Sequence, residues 1–188
     1  MQIEQIINAV HVIPESSMQL LKQYVHAVDF PKGHILFRAG KLESKIFFIR
    51  KGMVRAYAMH DGNEITFWFG KEGDPVVSMK SYVANEKGYE DIELLEPCEL
   101  LEIESAQLQQ LFMKDIHLAN WGRKFAEQEL IKTEERLISR QFGTAIDRYK
   151  QLLENNPDLI QRAQLGHIAS YLGITQVSLS RIRAELSR

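Results

Sequence analysis

Between about residues 27 and 104 the chain is a succession of short β-branched and aromatic runs. They are Ile35-Leu36-Phe37, Ile46-Phe47-Phe48-Ile49, Val54-Arg55-Ala56-Tyr57 and Ile65-Thr66-Phe67-Trp68-Phe69. Turn residues separate them: Lys32-Gly33, Ala39-Gly40, Lys51-Gly52, Asp61-Gly62 and Glu72-Gly73-Asp74. Strands this short and this evenly spaced predict an antiparallel barrel or jelly roll. Asp61-Gly62-Asn63 is a strong hairpin signal, because turns that match the twist of paired strands need residues that accept φ > 0. A last strand pair is expected near 90–95 and 99–103.

Helical periodicity brackets this section. Ile3, Ile6, Ile7 and Val10 follow helical spacing, and Pro14 interrupts them. Residues 3–28 read as helical, with Ser16 or Ser17 starting a second helix that carries Met18, Leu21 and Val25. Ser105 is expected to cap a short helix with Leu108, Leu111 and Phe112. A long helix follows from about Ile116 to Ser139, with Leu118, Trp121, Phe125, Leu130, Leu137 and Ile138 as its apolar positions. Such a stripe packs on its own β section or pairs with a second copy of the chain. Phe142, Ile146, Tyr149, Leu152 and Leu153 predict one more helix, ended by Asn155-Asn156-Pro157.

Residues 164–183 then read as two short helices joined by a tight turn. Leu165, Ile168 and Leu172 share one face, and Ala169 is small where a second helix must approach. Gly173 can take φ > 0 and end the first helix. Thr175 can cap the second, and Leu179 and Ile182 supply its buried stripe. The opposite face offers Gln176, Ser178, Ser180, Arg181 and Arg183. Amides and guanidinium groups there suit a helix in a DNA major groove, as donors for base edges and cations for phosphates. From Arg162 to Arg188 the formal charge is +3, whereas the whole chain carries −2, leaving −5 for the rest. Positive charge gathered at one end of an acidic chain points to a local polyanion site.

Composition narrows the class. A hydrophobic content of 45% with 26% charged residues fits a globular protein of one large or two small domains in 188 residues. One cysteine, Cys98, allows no internal disulfide and no multi-cysteine metal or iron–sulfur site. It is read as a packing residue beside Leu100 and Leu101. The six histidines are scattered, without metal-ligand spacing. No metal, cofactor or catalytic residue is expected: there is no glycine-rich phosphate loop, nucleophile elbow or paired-histidine motif. With neither a signal peptide nor an apolar stretch of the roughly 20 residues a membrane helix needs, the expected setting is the cytoplasm, with no membrane partner.

The order of these parts carries a resemblance. The run Phe30-Pro31-Lys32-Gly33-His34-Ile35-Leu36-Phe37-Arg38-Ala39-Gly40, followed by Ile46-Phe47-Phe48-Ile49-Arg50-Lys51-Gly52-Met53-Val54-Arg55, resembles the opening of a cyclic-nucleotide-binding-type β-roll. With the long helix and the terminal helix-turn-helix, residues 15–186 resemble a CRP/FNR-family transcription regulator. The implied fold is α+β. It comprises an N-terminal antiparallel β-roll flanked by helices (1–115), a long dimerisation helix (116–140) and a C-terminal all-α helix-turn-helix domain (141–188) lacking a full wing.

The implied function is transcription regulation, by a homodimer that reads double-stranded DNA with two-fold symmetry. Carried over by position, Gln176, Val177 and Arg181 read bases, while Thr175, Ser178, Ser180 and Arg183 contact the backbone. Nucleotide-binding members carry Gly-Glu-Leu after the Gly-Asp turn, and later an Arg that neutralises the cyclic phosphate. Here Val77-Ser78-Met79 stands in the first place, and Lys87-Gly88-Tyr89-Glu90 has no Arg in the second. This argues against cyclic AMP and leaves open a different small-molecule effector, with Ser78, Met79, Lys80, Ser81, Tyr82 and Tyr89 as candidate pocket residues. The alternative is a ligand-sensing module that acts through protein contacts and not through DNA.

Overall fold

A computed structural model describes residues 1–186. Two helices, α1 (Ile3–Val10) and α2 (Glu15–Lys22), precede eight strands. These are β1 (His26–Phe30), β2 (Ile35–Phe37), β3 (Lys45–Lys51), β4 (Val54–His60), β5 (Asn63–Gly70), β6 (Pro75–Val76), β7 (Asp91–Leu94) and β8 (Cys98–Glu104), with helix α3 (Met79–Ala84) between β6 and β7. Helices α4 (Ser105–Lys114), α5 (Ile116–Phe142), α6 (Ala145–Asn155), α7 (Leu159–Arg162), α8 (Leu165–Leu172) and α9 (Gln176–Leu186) complete the chain.

All strand pairs are antiparallel. One sheet has the order β1-β8-β3-β6 and the other β2-β7-β4-β5, which together form the β-roll. Strand β3 shows why its apolar run is continuous. Phe47 and Ile49 face the space between the sheets, with Phe37, Val54, Ile92, Leu94 and Leu100. Ile46 and Phe48 point the other way, into a second core with α1, α2, α4 and the start of α5. Side chains alternate along a strand, so a sheet buried on both faces needs apolar residues at every position.

Two turns depend on backbone freedom. Gly52 has φ 115°, and a Cβ there would lie 2.4 Å from Cys98 Sγ. The β4–β5 hairpin turns through Asp61 and Gly62, with φ of 48° and 75°. Cys98 is buried, as expected of a packing residue, and burial pushes its thiol up to about 11.

The structure corrects several expected boundaries. Residues 26–30 are strand β1, so helix ends before 28. Helix α2 begins at Glu15 after Pro14, and neither Ser16 nor Ser17 starts it. Ser105 is the first residue of α4 and Glu104 is the capping position. Phe142 ends α5, whose N-terminus is capped by Asp115 accepting from His117 N and Leu118 N. Helix α6 is started by a reciprocal cap between Thr144 and Asp147. The expectation of a missing wing concerns residues beyond α9, where Ser187 and Arg188 lie outside the described residues. Among the described residues no helix is long and apolar enough to cross a membrane.

The first half of α5 packs on the roll, with Leu118 and Trp121 buried. Its second half does not: Leu130, Ile131, Leu137, Ile138 and Phe142 are 55–82% exposed. The long apolar stripe thus has two different fates.

Candidate functional sites

The helix pair α8–α9 is built as its residues demand. Gly173 ends α8 with φ 68° and ψ 35°. Ile174 N then donates to Ala169 O at 3.0 Å, closing the helix end. Thr175 Oγ1 accepts from Ser178 N at 3.1 Å, the capping geometry that starts α9. Leu179 and Ile182 are buried against Ile168, Ala169 and Leu172. Gln176, Val177, Ser180, Arg181 and Arg183 are all exposed along the opposite side. Ser178 is half-buried, and its hydroxyl lies 2.9 Å from Thr175 Oγ1, so both hydroxyls already have a partner.

This pair is tied to the roll. Ser170 Oγ accepts from Thr66 N at 2.9 Å and donates to Glu64 O at 2.8 Å. The Phe69 and Tyr171 rings meet edge-on at 5.3 Å. Met53 and Leu95 of the roll join the helical core around Tyr149, Leu152 and Leu159. Arg162 of α7 donates to Glu72 at 2.8 and 2.9 Å and pairs with Glu96. Burial would raise the Glu72 carboxyl, but the Arg162 and Gly52 hydrogen bonds outweigh it and hold the group at about 2. Arg55 is buried beside this contact, paired with Glu64 at 2.6 Å and Glu93 at 2.7 Å. Burial and the Arg55 charge push the His167 imidazole down, and its Nδ1 is buried with no hydrogen-bond partner.

A cavity of roughly 530 Å³ opens between the roll and α5. A bulge in β5 helps to shape it: Ala56 pairs with Trp68 and Tyr57 with Thr66, which leaves Phe67 as the extra residue. Phe67 and Trp68 line one side, Trp121 and Phe125 another, and Met79, Tyr82 and Tyr89 the loop side. Trp121 is fixed by donating from Nε1 to Ile7 O at 2.9 Å and by stacking on Phe125.

Of the pocket residues expected from sequence, Met79, Tyr82 and Tyr89 reach the cavity; Ser78, Lys80 and Ser81 are not among its lining residues. Ser78 Oγ donates to Ser81 Oγ at 3.3 Å, and Ser81 Oγ donates to Glu86 O and accepts from Glu43 N. Lys80 is exposed, 3.7 Å from Glu86. Sequence reasoning missed Phe67, Trp68, Trp121, Phe125 and Glu90. The aromatic pair in β5 and the i, i+4 aromatics of α5 were the available signal.

Residues 27–115 match the family model of the cyclic nucleotide-binding domain. The match spans the β-roll from β1 to α4. Structures similar to the whole chain extend the likeness beyond this cyclic nucleotide-binding-type domain. The c-di-GMP responsive global regulator CLP of Xanthomonas campestris is 19% identical, with a TM-score of 0.73 over 93% of this chain and 92% of that one. FixK2 of Bradyrhizobium japonicum is 18% identical, with a TM-score of 0.72 over 87% and 84%. The catabolite activator protein of Thermus thermophilus is 19% identical, with a TM-score of 0.60 over 94% and 85%. The chain therefore has the fold of the CRP/FNR regulators: cyclic nucleotide-binding-type roll, long helix and C-terminal helical region. Among curated proteins, no sequence matches this chain.

Proposed function

We propose that the chain is a homodimeric transcription regulator that reads a two-fold symmetric operator in the cytoplasm. The cyclic nucleotide-binding-type roll (1–115) would sense, the long helix (116–140) would dimerise, and the terminal helices (141–188) would read DNA. The observation that carries this is the orientation of α9. Its apolar residues Leu179 and Ile182 are locked into the helical core, so Gln176, Val177 and Arg181 face solvent together. Gln176 suits adenine, Arg181 guanine, and Val177, at 62% exposed, a thymine methyl. Ser180 and Arg183 suit phosphates. Thr175 and Ser178 have their hydroxyls engaged in the cap, so their contribution to the backbone comes through the N-terminus of α9.

Dimerisation accounts for the second half of α5. Leu130 and Leu137, like Ile131 and Ile138, are seven residues apart, which keeps both pairs on one seam of a paired helix. Two copies held this way would set their α9 helices about one DNA turn, roughly 34 Å, apart.

The cavity is the effector site in this reading, and β5 is the element it shares with the DNA-reading pair. Phe67 and Trp68 line the cavity, while Thr66 and Phe69 of the same strand hold α8. The test is duplex-DNA affinity as a function of salt. A regulator shows log affinity falling steeply with log salt. A chain that binds no duplex at low salt is instead a sensor acting through protein contacts.

A further inference from the structure

The most deeply buried charged group of the cavity is an acid. Its charged lining side chains are Asp74, Glu90, Glu129 and Arg136; Glu129 is paired with Lys132 at 2.6 Å, and burial raises the Asp74 carboxyl. Arg136 already donates to Thr133 Oγ1 at 3.1 Å on the α5 side. Glu90 is only 5% exposed and does not swing freely. Its Oε2 accepts from Tyr89 N at 3.0 Å. Gly88 lies against it so closely that a Cβ there would sit 3.1 and 3.2 Å from the two carboxylate oxygens. The only two tryptophans of the chain, Trp68 and Trp121, share the walls with Phe67, Phe125 and Tyr82. A fixed carboxylate among aromatic faces repels anions. It attracts organic cations, through a charge-assisted hydrogen bond and through the negative faces of the rings. The volume lies in the range that holds a small organic ligand.

We propose that this cavity binds a protonated arylalkylamine, its ammonium group on Glu90 and its ring among Phe67, Trp68, Trp121 and Phe125. The inference rests on the sensor role given to the cavity above and names the chemistry of its effector.

Because both tryptophans line the cavity, their fluorescence reports occupancy directly. The full chain is titrated with 2-phenylethylamine, with its anionic counterpart 3-phenylpropanoate, and with cyclic AMP. The expected result is a saturable tryptophan response to the amine, with both anions at least tenfold weaker. Glu90→Gln should weaken the amine at least tenfold. Ala126→Phe, which fills the cavity from α5 and keeps Glu90, should abolish the response. An absent response to the amine, anions that bind equally or better, or full amine affinity in Ala126→Phe overturns the proposal. Duplex-DNA binding measured on the same preparations separates the two readings. DNA binding without an amine response overturns only the effector assignment, whereas an amine response without DNA binding overturns only the regulator assignment.

Discussion

Ser170 of α8 completes a strand edge of the roll: its Oγ accepts from Thr66 N at 2.9 Å while donating to Glu64 O. One side chain of the α8–α9 pair thus satisfies two backbone groups of the strand that lines the cavity. Thr66 is fully buried, so its amide has no water to turn to. Ser170→Ala should cost about 1–3 kcal/mol, the penalty of leaving a buried donor unpaired. Hydrogen exchange checks this: the Thr66 amide and α8 should lose protection, while β3 and β8 keep theirs.

Acid should weaken the packing of the C-terminal helices on the roll, in two steps with one sign. The Glu72 carboxyl lies at about 2 in the folded chain against an ordinary 4.5. Its contribution is complete above pH 4.5 and is lost as pH falls toward 2. His167 is lowered from 6.5, chiefly by burial, so its neutral form is favoured. That contribution is complete above pH 6.5 and is lost as pH falls through the lowered value. Thermal unfolding followed from pH 7 downward should show a continuous loss of stability. Glu72→Gln should flatten the part of the curve below pH 4.5 and leave the part above it unchanged.

The proposed dimerisation through α5 makes a separate prediction. Leu137→Glu with Ile138→Glu should leave each protomer folded, since both side chains are exposed in the single chain. The dimer dissociation constant should rise about a hundredfold or more, because burying such a side chain contributes roughly 1.5–3 kcal/mol and roughly 1.4 kcal/mol is a factor of ten. Sedimentation equilibrium measures it. Unchanged association would place the dimer seam elsewhere.

Gly52 tests the roll. Alanine there meets Cys98 Sγ at 2.4 Å and must hold φ 115°. Gly52→Ala should destabilise the chain by about 1–3 kcal/mol through overpacking and strain. Adding Cys98→Ala should recover part of the loss, the part due to the sulfur. Denaturant midpoints of the single and double variants separate the two contributions.

How far this molecule could be read in advance varies with the range of the forces involved. The β4–β5 hairpin was legible because Asp61-Gly62 encodes the turn locally, and α8–α9 because Gly173, Thr175 and the apolar spacing act within a few residues of one another. Strand β6, two residues long, and helix α3, six, were missed because neither is long enough to show a period. Strand β1 falls partly within the expected helix, since Val25 extends the spacing of Met18 and Leu21. The cavity was the least visible part. Its walls come from β5, α3 and α5, with Trp68 and Trp121 more than fifty residues apart in sequence, and packing alone assembles them. Ser78 and Ser81 looked like ligand contacts because hydroxyls suit ligands, but both are consumed in anchoring the loop.

The proposed base reading separates the two arginines of α9. Arg181→Ala should cost about 1–3 kcal/mol at one operator position and relax specificity there. Arg183→Ala should weaken operator and random DNA alike. Competition binding against single-position operator variants distinguishes them, and equal losses on operator and random DNA for Arg181→Ala would refute its role.

In-vitro selection from random duplex DNA, read out by sequencing the bound pool, addresses the outward face of α9 and its two-fold pairing together. The expected pool is a two-fold symmetric sequence with half-sites about one helical turn apart, and Arg181→Ala should blur one position in each half. A pool with no symmetric enrichment, or one that Arg181→Ala leaves unchanged, would contradict it.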